Sequence, residues 1–109
     1  MNNVILQGRF TKENKIEESK DGKTKILRNT VAVKRDKETT DFINVTFLGK
    51  LAELVDKYTT KGNRILVNGE LHVTSYKDKE GNDKTYVNVL VNGVDLIDFK
   101  DNKQDEIPE

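Results

Sequence analysis

Between Asp41 and Tyr76 the chain runs through an alternating strand, a short helical repeat and a second strand punctuated by glycine, and no other feature restricts its fold as much. Successive side chains of a strand point to opposite faces. In Phe42-Ile43-Asn44-Val45-Thr46-Phe47-Leu48 one face therefore carries Ile43, Val45 and Phe47, and the other carries Phe42, Asn44, Thr46 and Leu48. The first set is a core edge. The second is polar at its centre but has an aromatic ring at one end. Leu51, Leu54, Val55 and Tyr58 then recur at helical spacing, which predicts one amphipathic helix with Tyr58 in its apolar stripe, and Gly62 is placed to end it in a left-handed turn. Beyond it, Ile65, Val67, Leu71 and Val73 share the inward face of a further strand. Gly69 falls on that same face, where a missing side chain permits the sharp coiling that closes a small barrel.

The flanks supply the remaining strands. Val4 to Phe10 alternates, Lys25 to Lys34 reads as a second strand, and Ser19-Lys20-Asp21-Gly22-Lys23 is a turn between them. Arg35 to Thr40 has no apolar residue and predicts a mobile loop, either a solvated connection or a loop that contacts a ligand. Tyr76 to Tyr86 reads as a hairpin with Gly81-Asn82 at its tip, and a last strand runs from Tyr86 towards Phe99. Strand, strand, strand, helix, strand, strand is the order of an all-β, five-stranded oligonucleotide-binding barrel with one short helix, the OB-fold. Residues 1–99 read as that domain. Residues 100–109, whose only large apolar side chain is Ile107, read as a short acidic disordered tail.

Composition removes most chemistries. With no cysteine there are no disulfides, thiolate nucleophiles or zinc-thiolate sites, which suits a reducing compartment. No apolar run approaches a membrane span and the amino terminus lacks a signal-peptide pattern, so a cytoplasmic protein is expected. The single histidine, His72, has outward parity and no second histidine or cysteine with which to hold a metal. The carboxylates form no acid-base pair by spacing and the glycines form no phosphate loop. We therefore expect no metal, no cofactor and no enzyme. The zero net charge averages two unlike parts: residues 1–99 hold 17 Lys and Arg against 15 Asp and Glu, and residues 100–109 hold two against four. The body is weakly basic, so contact with a polyanion has to come from local clustering.

The same residues carry a resemblance. Phe42-Ile43-Asn44-Val45, Leu48-Gly49-Lys50-Leu51-Ala52-Glu53, Lys61-Gly62 and Val67-Asn68-Gly69-Glu70-Leu71, with Tyr76, Tyr86-Val87 and the opening Asn3-Val4-Ile5-Leu6-Gln7-Gly8-Arg9-Phe10, resemble the bacterial and phage single-stranded DNA-binding proteins. The resemblance covers most of residues 1–99. It implies a homotetramer that coats single-stranded DNA during replication, recombination or repair without strong sequence preference. Bases would stack on Phe42, Tyr76 and Tyr86, with Leu48 as an aliphatic contact and His72 along the path. Phosphates would meet Arg9, Arg28, Lys34, Arg35, Lys50 and Lys61.

Departures from the family pattern matter too. Phe42 and Tyr76 stand where well-studied bacterial relatives have tryptophan, Lys37 falls near a further stacking position, and Leu48 replaces a frequent phenylalanine. Smaller ring surfaces imply weaker, more charge-dependent binding per subunit. Bacterial relatives end in an acidic segment closed by Ile-Pro-Phe that recruits replication and repair enzymes. Asp105-Glu106-Ile107-Pro108 keeps the pattern but Glu109 takes the last place, so recruitment through this tail is expected to be weak. Two rivals stay open. One is a primosome-type accessory or RNA-binding protein on the same barrel, and the other is a small metal-dependent nuclease.

Overall fold

A computed structural model describes residues 1–98, and the expectations for the tail, including Asp105, Glu106, Ile107 and Pro108, lie outside the described residues. The elements in chain order are β1 (Val4–Phe10), β2 (Ile16–Glu18), β3 (Lys25–Lys34), β4 (Thr40–Leu48), α1 (Lys50–Tyr58), β5 (Arg64–Lys77) and β6 (Asp83–Leu96). Neighbouring strands run β1-β5-β6-β4-β3, and β3 returns to β1 through Arg9–Ala32 and Phe10–Val31, which closes a ring. All pairs are antiparallel except β4 with β6, where Asn44–Asn88, Val45–Val89 and Thr46–Leu90 run in parallel. The chain is mostly β with one short helix between β4 and β5, as expected for the OB-fold. The sixth strand, β2, lies outside the ring against β3. Its three residues contain one apolar side chain, too few for a period of two to register.

Alternation explains the core. Val45 and Phe47 of β4 are fully buried, and so are Leu27 of β3, Ile65 of β5 and Val89 of β6. Phe10 meets Phe47 edge to face, with ring centroids 6.1 Å apart and planes at 68°, a preferred aromatic geometry. Thr46 departs from simple parity. It faces outward yet is buried, and its hydroxyl is satisfied by donating to Asn88 Oδ1 of the adjoining strand at 3.0 Å.

The helix covers one end of the barrel through Ala52 and Val55, with Leu51 and Tyr58 half-buried beside them. Leu54, expected in the apolar stripe, is exposed. At about 100° per residue it lies roughly 130° round the helix from the midpoint of Ala52 and Val55, which turns it to solvent. Gly62 does not end the helix. The chain leaves it at Thr59 in extended conformation, and Thr59 donates its N–H and its hydroxyl to the Val55 carbonyl at 3.0 and 2.6 Å. Gly62 instead takes φ +90° in a turn closed by Asn63 N–H to Thr60 O at 3.1 Å, the position where a type II turn requires glycine.

The largest difference from expectation lies in β5. Its register with β6 shifts between Asn68 and Gly69, and a Cβ on Gly69 would collide with the Leu90 carbonyl. That close approach is where the barrel wall ends. Leu71 and Val73 keep the predicted parity but are not core. They are 39% and 58% exposed, because β5 and β6 continue past the barrel as a two-stranded arm. The arm turns at residues 78–82, where the Asp78 carboxylate accepts the N–H groups of Glu80 and Asn82, each at 2.9 Å. The loop expected to be mobile, Arg35 to Thr40, is a closed turn. Arg35 N–H reaches Thr39 O at 2.9 Å, and Asp36 accepts the N–H groups of Glu38 and Thr39 at 2.9 and 2.8 Å. Those same bonds hold the Asp36 carboxyl below its ordinary pKa. Among the described residues no helix is long and apolar enough to cross a membrane.

Candidate nucleic-acid interface

Strand register assembles one outward face from four strands. Directly paired residues share a face, so β3 contributes Arg28, Thr30, Ala32 and Lys34, opposite Thr46, Asn44, Phe42 and Thr40 of β4. The parallel pair Asn44–Asn88 carries this face onto β6, and His72–Asn88, Thr74–Tyr86 and Tyr76–Lys84 carry it onto β5 and the arm. Phe42 and Tyr86 each stand two residues before the Asn44–Asn88 pair on parallel strands. Tyr76 is diagonal to Tyr86. Register thus brings three aromatic side chains far apart in sequence onto one surface.

Their rings are open. Phe42 is 66% exposed, Tyr76 51% and Tyr86 41%, and Leu48 at the other end of β4 is 40% exposed. Between them runs a polar seam: Thr30 donates its hydroxyl to Asn44 Oδ1 at 3.0 Å, Asn44 Nδ2 reaches Val87 O at 3.3 Å, and Thr46 meets Asn88 Oδ1 at 3.0 Å. These bonds tie β3 to β4 and β4 to β6 beside Phe42, while Tyr86 and Tyr76 stand on the two-stranded extension of β5 and β6 beyond them. Such an arrangement can stack flat groups against its rings and hydrogen-bond their edges along the seam.

The predicted cations divide into groups. Arg28 and Lys34 lie on this face, and Arg9 borders it, since Ala32 pairs with Arg9 on one side and Phe42 on the other. Arg28 is joined to Glu17 at 2.9 Å, an exposed pair that a phosphate could displace at little cost. Arg35 forms a two-pronged bond to Asp41, Nη2 to Oδ1 at 2.7 Å and Nε to Oδ2 at 3.2 Å, which raises the guanidinium pKa and serves the turn. Lys50 opens α1 and Lys61 lies in the turn after it. Both are exposed, and neither belongs to a strand of the aromatic face. His72 points outward as predicted, with Nε2 3.0 Å from Glu70 Oε1. Among the described residues no group of three or more His, Cys, Asp or Glu side chains is placed to hold a metal ion.

Three participants escaped the sequence reading. Asn88 and Thr30 complete the polar seam, and parity alone could have flagged them as outward. Arg64 was invisible for another reason. It lies on the outer surface of β5 opposite Arg9, and Asp98 holds it through Nε and Nη2, both at 3.0 Å. Hydrogen bonds from the Arg64 side chain and backbone pull the Asp98 carboxyl down to about 2. These partners are 34 residues apart.

The single-strand binding protein family matches residues 1–97. A "Single-stranded DNA-binding protein" of Clostridium perfringens is 35% identical over 100 residues, spanning 90% of this chain and 67% of its own. "Single-stranded DNA-binding protein 1" of Clostridium acetobutylicum is 36% identical over 106 residues, covering 92% and 96% of the two chains. A third relative of that description, from Staphylococcus aureus, is 32% identical over 114 residues, covering 96% and 72%.

Proposed function

Because this chain belongs to the single-strand binding protein family, we propose that it binds single-stranded DNA without strong sequence preference and protects it during replication, recombination or repair. One observation carries the mechanism: Phe42, Tyr86 and Tyr76 lie open on one face that also carries Arg28 and Lys34 and is bordered by Arg9. Unpaired bases present a π-face to each ring, whatever their identity, while duplex bases are already stacked. Binding only the unpaired form also melts stray hairpins by mass action. No catalytic step is involved, and the family is one of binding proteins.

The domain formed by residues 1–99 carries this activity in the cytoplasm, as a homotetramer whose linked faces raise avidity above that of one barrel. Replication or recombination enzymes are its protein partners, docked weakly through Asp105, Glu106, Ile107 and Pro108. The test is a competition titration with labelled single-stranded DNA, duplex DNA and RNA of equal length, run beside a solution mass measurement. Single-stranded DNA should bind far more tightly than duplex. Equal affinity for duplex would overturn the proposal, and a preference for RNA in a dimer would favour the accessory-protein alternative.

A further inference from the structure

A second feature adjoins the aromatic face. Where β1 parts from β3 there is a pocket of about 290 Å³ lined by Arg9, Lys34 and Arg64 together with Gln7, Ala32 and Thr40. Three cations and no carboxylate line it. We propose that this seam seats one backbone phosphate of the strand that stacks on Phe42, which extends the DNA path from the β3-β4-β6-β5 face onto β1.

Position supports the seat. Ala32 pairs with Phe42 on one side and Arg9 on the other, and Lys34 pairs with Thr40, two residues before Phe42. Two strand spacings separate Phe42 from Arg9, roughly 10 Å, so a nucleotide stacked on the ring has its own or its neighbour's phosphate at the pocket. Both arginines are held beside the pocket by hydrogen bonds. Arg64 is oriented by its two bonds to Asp98, and Arg9 by an Nη1 bond to Gly62 O at 3.0 Å. A guanidinium has five N–H groups, so both keep donors for an anion. Lys34 is exposed and makes no ion pair among the described residues, so its ammonium is free to close on the phosphate. Asp98 lies 4.0 Å from Arg9 as well, and it competes with the phosphate for both arginines.

This inference rests on the proposed DNA-binding function, and the experiment separates the two. Binding of labelled oligo-dT is measured across a salt series for the native protein, Lys34→Ala, Arg9→Ala, the double variant and Phe42→Ala, with melting curves to confirm folding. One shared phosphate predicts that the double variant binds several-fold more weakly. Its log–log salt slope should be shallower by about 0.7, the value for a single phosphate on a single strand. A slope change near 1.4, meaning two separate phosphates, or no change at all overturns the seat. If the salt slope is unchanged while Phe42→Ala weakens binding, the seat alone is wrong. If Phe42→Ala also binds as tightly as the native protein, the aromatic face fails and takes the seat with it. Asp98→Asn frees Arg64 and should tighten binding at low salt; unchanged affinity removes Arg64 from the seat.

Discussion

Phe42 and Phe47 lie on the same strand and face opposite environments. Phe42 is 66% exposed and Phe47 fully buried against Phe10. Phe42→Ala should therefore weaken single-stranded DNA binding by about 1–3 kcal/mol, the range seen for proteins of this kind, and leave the melting temperature near that of the native protein. Phe47→Ala should cost about 3–5 kcal/mol of stability in urea denaturation, through lost burial and a cavity. Asp98 gives a pH signature. Arg64 holds its carboxyl at about 2 against an ordinary value of 3.8. A carboxyl depressed in the folded state stabilises it above the unfolded value and loses that contribution as pH falls towards the folded value. Urea midpoints should thus fall between about pH 4 and pH 2. Asp98→Asn should lower stability at neutral pH and flatten that acid limb, leaving the smaller share of Asp21 and Asp36, whose carboxyls are also depressed by local hydrogen bonds. A limb unchanged in the variant would place the acid sensitivity elsewhere.

At the level of elements, Gly69 separates barrel from arm. A side chain there would strike the Leu90 carbonyl, which belongs to backbone and cannot swing away. Gly69→Ala should destabilise the protein by about 1–3 kcal/mol. Gly93→Ala is the control: the nearest atom to its added Cβ is the Asn68 Cβ at 4.0 Å, so its effect should stay within about 0.5 kcal/mol. Equal urea midpoints for the two variants would show that the bulge tolerates a side chain. The same glycine marks where periodicity stopped being informative. Leu71 and Val73 share the parity of Ile65 and Val67, but parity gives a face and not a depth, and beyond Gly69 there is no barrel left to cover that face. Leu54 shows the same limit on α1, where helical spacing marks an apolar arc wider than the surface that buries it.

For the whole molecule, a weakly basic body has to concentrate its charge. Arg28 and the seat shared by Arg9 and Lys34 border the aromatic face, so at least two phosphate contacts are expected, and the logarithm of affinity should fall with that of salt at a slope of roughly −1.4 or steeper. A flat salt response in a titration with labelled oligonucleotide would assign the binding to stacking alone. Most of the barrel and the outward direction of Phe42, Tyr76, Tyr86 and His72 were legible in the sequence, because period-two alternation is a local property that follows from strand geometry. Which of those side chains share one surface was not. That depended on the parallel pairing of β4 with β6 and on the closure of β3 onto β1, contacts between residues up to 44 positions apart that no local pattern encodes. The Arg64–Asp98 pair and the pocket beside Phe42 belong to the same class. Sequence determined what each strand offers to either side, and only the closing of the ring decided which offers meet, since chain closure brings together groups that local propensity never compares.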